Sequence, residues 1–233
     1  MRTIFKVAGI CLVMSLCVLH SCEKGTNIEI EIDIDGNSYK TIRIGDQLWM
    51  VENLKTTKYN DGTSIPNVTD DSEWENMNSG AYCWYDNNAS LYKSTYGALY
   101  NWYAVDTKKL CPIGWHIPSH AEWNTLVDYL GGETIAGGKL KEIGTIHWLS
   151  PNTCATNESG FTALPGSFRT RVVAAYGIIG SMGFWWSSSE EDIINSYLQL
   201  MSSESAISTW GFTHKKWGLS IRCIKDKYGS SGG

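Results

Sequence analysis

Four cysteines pose the first chemical question in this 233-residue chain. Cys83, Cys111, Cys154 and Cys223 follow an apolar leader that holds Cys11 and Cys17 and is succeeded by Cys22. In an exported protein such thiols form disulfides, and four of them allow three full pairings. No CxxC or other metal-type spacing accompanies them. His116 and His120 are four apart, a spacing that suits zinc when both lie on one helix. Pro118 intervenes, however, and the helix begins only after Ser119, so the two read as loop or packing histidines. Asn152, Asn157 and Glu158, in a glycine-flanked loop before Phe161, offer oxygen ligands to Ca²⁺, the one cofactor the residues suggest. The competing reading is a turn network in which Asn and Ser satisfy loop backbone.

Trp185 and Trp186 adjoin three serines. Neighbouring side chains of a strand point to opposite faces, so a one-sided sheet buries at most one of them. The other is free to stack on a sugar ring or a partner, with Trp148, Tyr176 and Trp210 as companions. The plainer reading is that all these rings plug a glycine-rich fold. Catalytic signals are weak. Asp70/Asp71 and Glu190/Glu191 are adjacent in sequence and diverge. There is no nucleophile elbow or Ser-His-Asp signature, and Gly137-Gly138-Lys139 lacks the rest of a phosphate loop.

Composition narrows the field. Apolar residues make up 42% and charged residues 18%, the latter below the usual share of about 25%, which excludes disorder for most of the chain. Eleven Trp, twelve Tyr and 23 Gly indicate a loop-heavy fold pinned by large rings. A net charge of −5 without a basic run argues against a nucleic-acid partner.

Residues 1–21 read as a lipoprotein signal peptide. Arg2 and Lys6 precede an apolar segment at 7–19 that is too short to span a bilayer. Leu19-His20-Ser21-Cys22 resembles a bacterial lipobox, with an ordinary secretory signal as the alternative. Cleavage makes Cys22 the acylated N-terminus and anchors the chain in a membrane by lipid. It leaves 17 of the 19 basic residues against 24 acids, a net charge of −7. Glu23 beside the anchor resembles a surface-export signal, so the expected location is the outer membrane or cell surface.

The remainder reads as a tether and N-terminal strand at 22–38, one domain at 39–227 and a flexible tail at 228–233. Ile28, Ile30, Ile32 and Ile34 alternate with polar residues as a half-polar strand. Asp35-Gly36-Asn37 turns it into a second extended stretch at 39–50. A loop fills 55–80, and 81–85 is a short strand. Two main helices are expected. One is the buried 96–105 run. The other opens on Ser119, whose S-x-x-E spacing to Glu122 forms a capping box. Its core stripe is Trp123, Leu126, Val127 and Leu130, and it ends at Gly131-Gly132. A shorter helix covers 135–142. Short strands follow near 161–164, 185–188, 197–201 and 219–224. This pattern is an α+β domain with antiparallel sheet.

Several runs carry a resemblance: TIRIGDQLWMVENLK (41–55), YGALYNWYAV (96–105), LCPIGWHIPSHAEWNTLVDYLGG (110–132), AGGKLKE (136–142), PNTCATNESGFTALPGSFR (151–169), FWWSSSE (184–190) and GLSIRCIKD (218–226). Together they resemble the Fibrobacter succinogenes major paralogous domain of exported Bacteroidetes and Fibrobacteres proteins. More distantly, GWHIPSHAEW and WWSSSE with GLSIRCIKD resemble the C-type-lectin-like fold of the formylglycine-generating enzyme group. That resemblance implies a loop-rich antiparallel sheet with two main helices, whose N- and C-terminal strands pair. The family pattern keeps cysteines at 111 and 223 and implies that they pair. A bridge closing so long a loop stabilises by about 4–5 kcal/mol in the chain-entropy model. Cys83 and Cys154 are then left as a second pair. The reactive thiols of copper-dependent formylglycine-generating enzymes need a late neighbouring cysteine, which Cys223 lacks. The sugar motifs of C-type lectins, Glu-Pro-Asn and Trp-Asn-Asp, are also missing. The expected function is non-catalytic binding of a glycan or a surface protein. The alternatives are a divergent oxidase or hydrolase on that scaffold, or a structural surface component.

Overall fold

The computed structural model describes residues 29–172 and 175–227. The expected signal peptide, Cys22, Ile28 and the 228–233 tail lie outside these residues. No helix among the described residues is long and apolar enough to cross a membrane.

The architecture is α+β with antiparallel sheets. Strands β1 (Ile30–Ile32), β2 (Ser38–Ile44) and β3 (Gln47–Met50) form a meander. Helix α1 (Asp71–Asn76) follows, then β4 (Tyr82–Cys83), α2 (Ala89–Tyr96), β5 (Leu99–Tyr100) and α3 (Trp102–Asp106). Next come β6 (Trp115–His116), α4 (His120–Tyr129) and α5 (Glu133–Leu140). The chain then forms the hairpins of β7 (Met182–Glu190), β8 (Asn195–Ser202) and β9 (Ser208–His214), and ends in β10 (Ile224–Lys225). The sheets run β1-β2-β3-β10-β6, β4-β5 and β7-β8-β9. The stretch before β10 stitches them together: Leu219 bridges Tyr100 of β5, and Ser220 bridges Trp185 of β7. The last strand thus returns antiparallel to the N-terminal hairpin through Ile224 and Trp49.

Local chemistry explains the elements. The β2–β3 turn holds Gly45 at φ 58°, and a Cβ there would lie 2.9 Å from the Tyr129 ring, so only glycine fits. Helix α4 starts on the expected capping box: Ser119 Oγ accepts from the Glu122 amide at 3.3 Å, and Glu122 Oε2 accepts from the Ser119 amide at 2.8 Å. Its Trp123, Leu126 and Val127 are buried.

Other expectations need correction. The 96–105 run is not one helix. Gly97 at φ 74° ends α2, Leu99 and Tyr100 pair with β4, and the Asn101 side chain caps the short α3 by accepting from the Ala104 amide. The described residues hold five α-helices where two main ones and a shorter one were expected, and α5 answers to the shorter one at 135–142. The 55–80 loop contains α1, capped by Asp70. Residues 161–164 contribute a single bridge, Ala163 to Lys141, and not a strand. Strand β9 went unforeseen.

Two large cores lie on either side of β7. Trp186 packs with Tyr100, Trp115, Leu219 and Ile221, and Trp185 packs with Trp49, Trp123, Trp148 and Phe161. A bond between Cys111 and Cys223, 112 positions apart, ties the chain ahead of α4 to the last strand.

Candidate functional site

The expected binding residues scatter into three places. Trp185, Trp186 and Trp148 are all buried, which corrects the reading that one indole of the pair faces outward. Strand β7 is covered on both faces, so its alternation sends each ring into a different core. Each indole N–H is also satisfied inside: Trp185 by Asn53 Oδ1 at 2.9 Å, Trp186 by the Tyr100 carbonyl at 2.8 Å and Trp148 by the Ala163 carbonyl at 2.8 Å. A ring with its N–H bonded in the core has no surface left for a ligand.

Tyr176 is half-buried and begins a row of rings. It lies 5.1 Å from Tyr85, which lies 4.9 Å from Tyr92, and Tyr96 and His147 continue the row. The hydroxyls at its head are committed to holding loops. Tyr85 Oη donates to the Gly177 carbonyl at 2.7 Å, and Tyr176 Oη lies 3.1 Å from Asn87 Oδ1.

Cys83 and Cys154 are not bonded, which corrects the second bridge. Cys83 is buried with Val68, Trp74 and Leu99 in a small third core, where burial pushes its thiol pKa up beside Arg169. Cys154 is exposed on the loop that packs over Lys141.

Nor do the suggested calcium ligands form one set. The Asn152 amide donates to the Glu142 and Gly144 carbonyls, Asn157 turns back on Thr162, and Glu158 is exposed and reaches Lys139 at 3.5 Å. The carbonyls of this region are gathered by a cation that belongs to the chain. Lys141 Nζ is fully buried and donates to the carbonyls of Thr153 (3.1 Å), Ser202 (2.9 Å) and Ser205 (2.7 Å). Burial pushes its pKa down to about 8, which leaves it charged at neutral pH.

The two histidines also serve different places. His116 sits at the rim of a cleft of about 380 Å³ lined by Val105, Leu110, Cys111 and Ile117. It bridges Asp226 through Nδ1 (2.5 Å) and Glu122 through Nε2 (3.0 Å). The bond to Glu122, opposed by partial burial, raises its pKa. Glu122, despite desolvation, is held down at about 2 by His116 and the Ser119 cap. Among the described residues no three His, Cys, Asp or Glu side chains gather as metal ligands.

His120 opens α4 and faces the edge of the third sheet. Its ring stacks on Tyr197 of β8 at 4.7 Å and meets Trp210 of β9 edge-on at 5.3 Å. Tyr197 and Trp210 lie 5.7 Å apart. The register pairs Tyr197 with Phe212 and Gln199 with Trp210, so these side chains share one face. Trp210 is 48% exposed and Phe212 is 56% exposed. Two large rings thus stand about 7 Å apart along a strand edge, over a floor of Tyr197 and His120. Of the five aromatic residues named from sequence, Trp210 alone belongs here. Tyr197, Phe212 and His120 were missed. The alternation of Trp210 with Phe212 was visible, but nothing local said that α4 stops short of covering them.

A family model described as the Fibrobacter succinogenes major domain matches residues 42–225. No curated protein and no solved structure matches the chain. With the match running from β2 to β10 and taking in the aromatic edge, the chain belongs to the Fibrobacter succinogenes major domain family.

Proposed function

We propose that this protein is a cell-surface lipoprotein whose domain binds a glycan without catalysis, at the β8–β9 edge. The observation that carries this reading is the exposed pair Trp210 and Phe212, backed by the stacked rings of Tyr197 and His120. A pyranose offers a face of C–H groups that stacks on such rings, and the backing rings hold Trp210 in place before the ligand arrives. We further read the domain as C-type-lectin-like, on the strength of β10 returning to the N-terminal hairpin and the loop-rich region between α5 and β7.

The test is a glycan-array screen of residues 25–233 beside the Trp210→Ala and Phe212→Ala variants, with and without Ca²⁺. Binding that both variants lose supports the reading. Binding that neither variant alters places the site elsewhere. No binding to any glycan leaves a surface protein as the ligand.

An enzymatic reading has one observation in its favour, the His116 imidazole between two carboxylates at the rim of the apolar cleft. Ser188 lines the same cleft, but no hydrogen bond joins its hydroxyl to His116 among the described residues. Hydrolytic turnover abolished by His116→Ala would favour that reading.

A further inference from the structure

Strand β1 is inside out. In the run from Ile30 to Asp35 the acids Glu31, Asp33 and Asp35 bond to protein and the isoleucines point away from it, while Glu29 ahead of them is exposed. Asp33 is buried and accepts from Tyr39 Oη at 2.6 Å and Asn37 Nδ2 at 2.8 Å. Glu31 accepts from Trp115 Nε1 at 2.8 Å and lies 3.6 Å from Lys225. Asp35 accepts from the Thr57 amide and hydroxyl. Meanwhile Ile30, Ile32 and Ile34 are 64%, 60% and 52% exposed. The register sets Ile30 opposite Lys40 and Ile32 opposite Ser38, so the outer face of the hairpin carries no acid from either strand. An antiparallel sheet with one face in water ordinarily alternates apolar residues inward and polar residues outward. The reverse arrangement leaves an apolar strip with a lysine at its border and nothing within the described residues to cover it.

We infer that this strip rests on the lipid leaflet to which the chain is anchored. The inference builds on the reading of Cys22 as the acylated residue. Only eight positions separate Cys22 from Ile30, and fully extended they reach at most about 28 Å. The hairpin therefore stays close to the leaflet, at high effective concentration. Weak apolar contacts count under those conditions, because a single anchored chain turns every later contact into an intramolecular one. Lys40 can lay its stem along the strip while its ammonium stays in the headgroup region. Of the nearby acids, Glu31, Asp33 and Asp35 are engaged by Trp115, Lys225, Tyr39 and Thr57, and Glu52 accepts from the Lys40 amide at 2.8 Å, so Glu29 is the acid beside the strip left exposed among the described residues.

The experiment uses the full chain purified from membranes. It carries a nitroxide at Ser38→Cys in a Cys154→Ser background and is reconstituted into vesicles of phosphatidylethanolamine and phosphatidylglycerol. The expected result is that the label collides with lipid-soluble oxygen several-fold more than with a water-soluble nickel chelate. The ratio reverses when Ile30, Ile32 and Ile34 are all changed to Ser, while that variant still floats with the vesicles and melts at the same temperature. A label that stays open to nickel on a chain that floats overturns the leaflet contact and leaves the anchor standing. A chain that does not float overturns the anchor and this inference together. A label shielded in detergent in proportion to protein concentration shows that a second copy covers the strip, and also overturns the inference.

Discussion

Arg222 and Asn53 meet at the centre of the protein: Nη2 and Nε of the guanidinium lie 2.9 Å and 3.2 Å from the same amide oxygen. Among the described residues no carboxylate bonds to them. The other donors go to the Met50 (3.1 Å), Val51 and Phe161 (2.7 Å) carbonyls, and the Phe161 ring lies 4.3 Å from the guanidinium carbon. Burial lowers the Arg222 pKa to about 9, so the group is still a cation at neutral pH. One side chain thus holds the β3 exit, the 161–162 loop and the final strand in a single cage. Replacing Arg222 with Met should cost about 3–5 kcal/mol in urea unfolding, because several buried acceptors lose their donor at once. Arg222→Lys should recover part of that loss. A cost below about 1 kcal/mol, the range of ordinary surface substitutions, would show that the cage is incidental.

Stability should also follow pH through His116 and Glu122. The folded pKa of His116 lies above its ordinary 6.5. Its contribution is therefore complete below pH 6.5 and fades as pH rises through the folded value. The folded pKa of Glu122 is about 2 against an ordinary 4.5, so its contribution is complete above pH 4.5 and is lost as pH falls toward 2. Together they favour the folded state most between about pH 4.5 and 6.5. Urea midpoints measured from pH 2 to 9 should flatten on the alkaline side in His116→Gln and on the acid side in Glu122→Gln. Parallel curves for wild type and both variants would contradict the assignment.

The loops over α5 should not depend on added metal. Lys141 Nζ supplies the positive charge around which the Thr153, Ser202 and Ser205 carbonyls gather. A chelator should leave the thermal midpoint in place, whereas Lys141→Met should lower stability by about 3 kcal/mol or more as three carbonyls lose their donor. A fall in the midpoint on chelation would restore a divalent ion to this region.

At the β8–β9 edge, Trp210→Ala should weaken glycan binding about tenfold or more while changing stability by less than about 1 kcal/mol, as expected for an exposed anchor ring. Titration calorimetry beside urea unfolding separates the two effects. Loss of both together would mean that Trp210 is a packing residue.

Legibility in the sequence followed how local each determinant is. The α4 cap rests on Ser119 and Glu122, three positions apart, and could be read outright. So could the β1–β2 hairpin, from its alternation and its turn. The Cys111–Cys223 pair came through family resemblance, because 112 intervening positions carry no local cue. Alternation, however, tells which residues share a face and not which face is covered. That is why β1 was read without its outward isoleucines, and why Trp185 and Trp186 were given an outer face that β7 does not have. The 96–105 run misled for a similar reason. Its apolar spacing suits a helix, but Gly97 and the pairing of Leu99 with Cys83 break it into strand and cap.

The bond between Cys111 and Cys223 closes a covalent ring around α4, α5 and the three long strands. Ile146, Ile178 and Ile193 are exposed on that ring. A secreted protease that cuts beside one of them opens the ring without separating it. The two fragments remain one molecule on a non-reducing gel and part only when thiol is added. A single cleavage then scars the domain without dividing it.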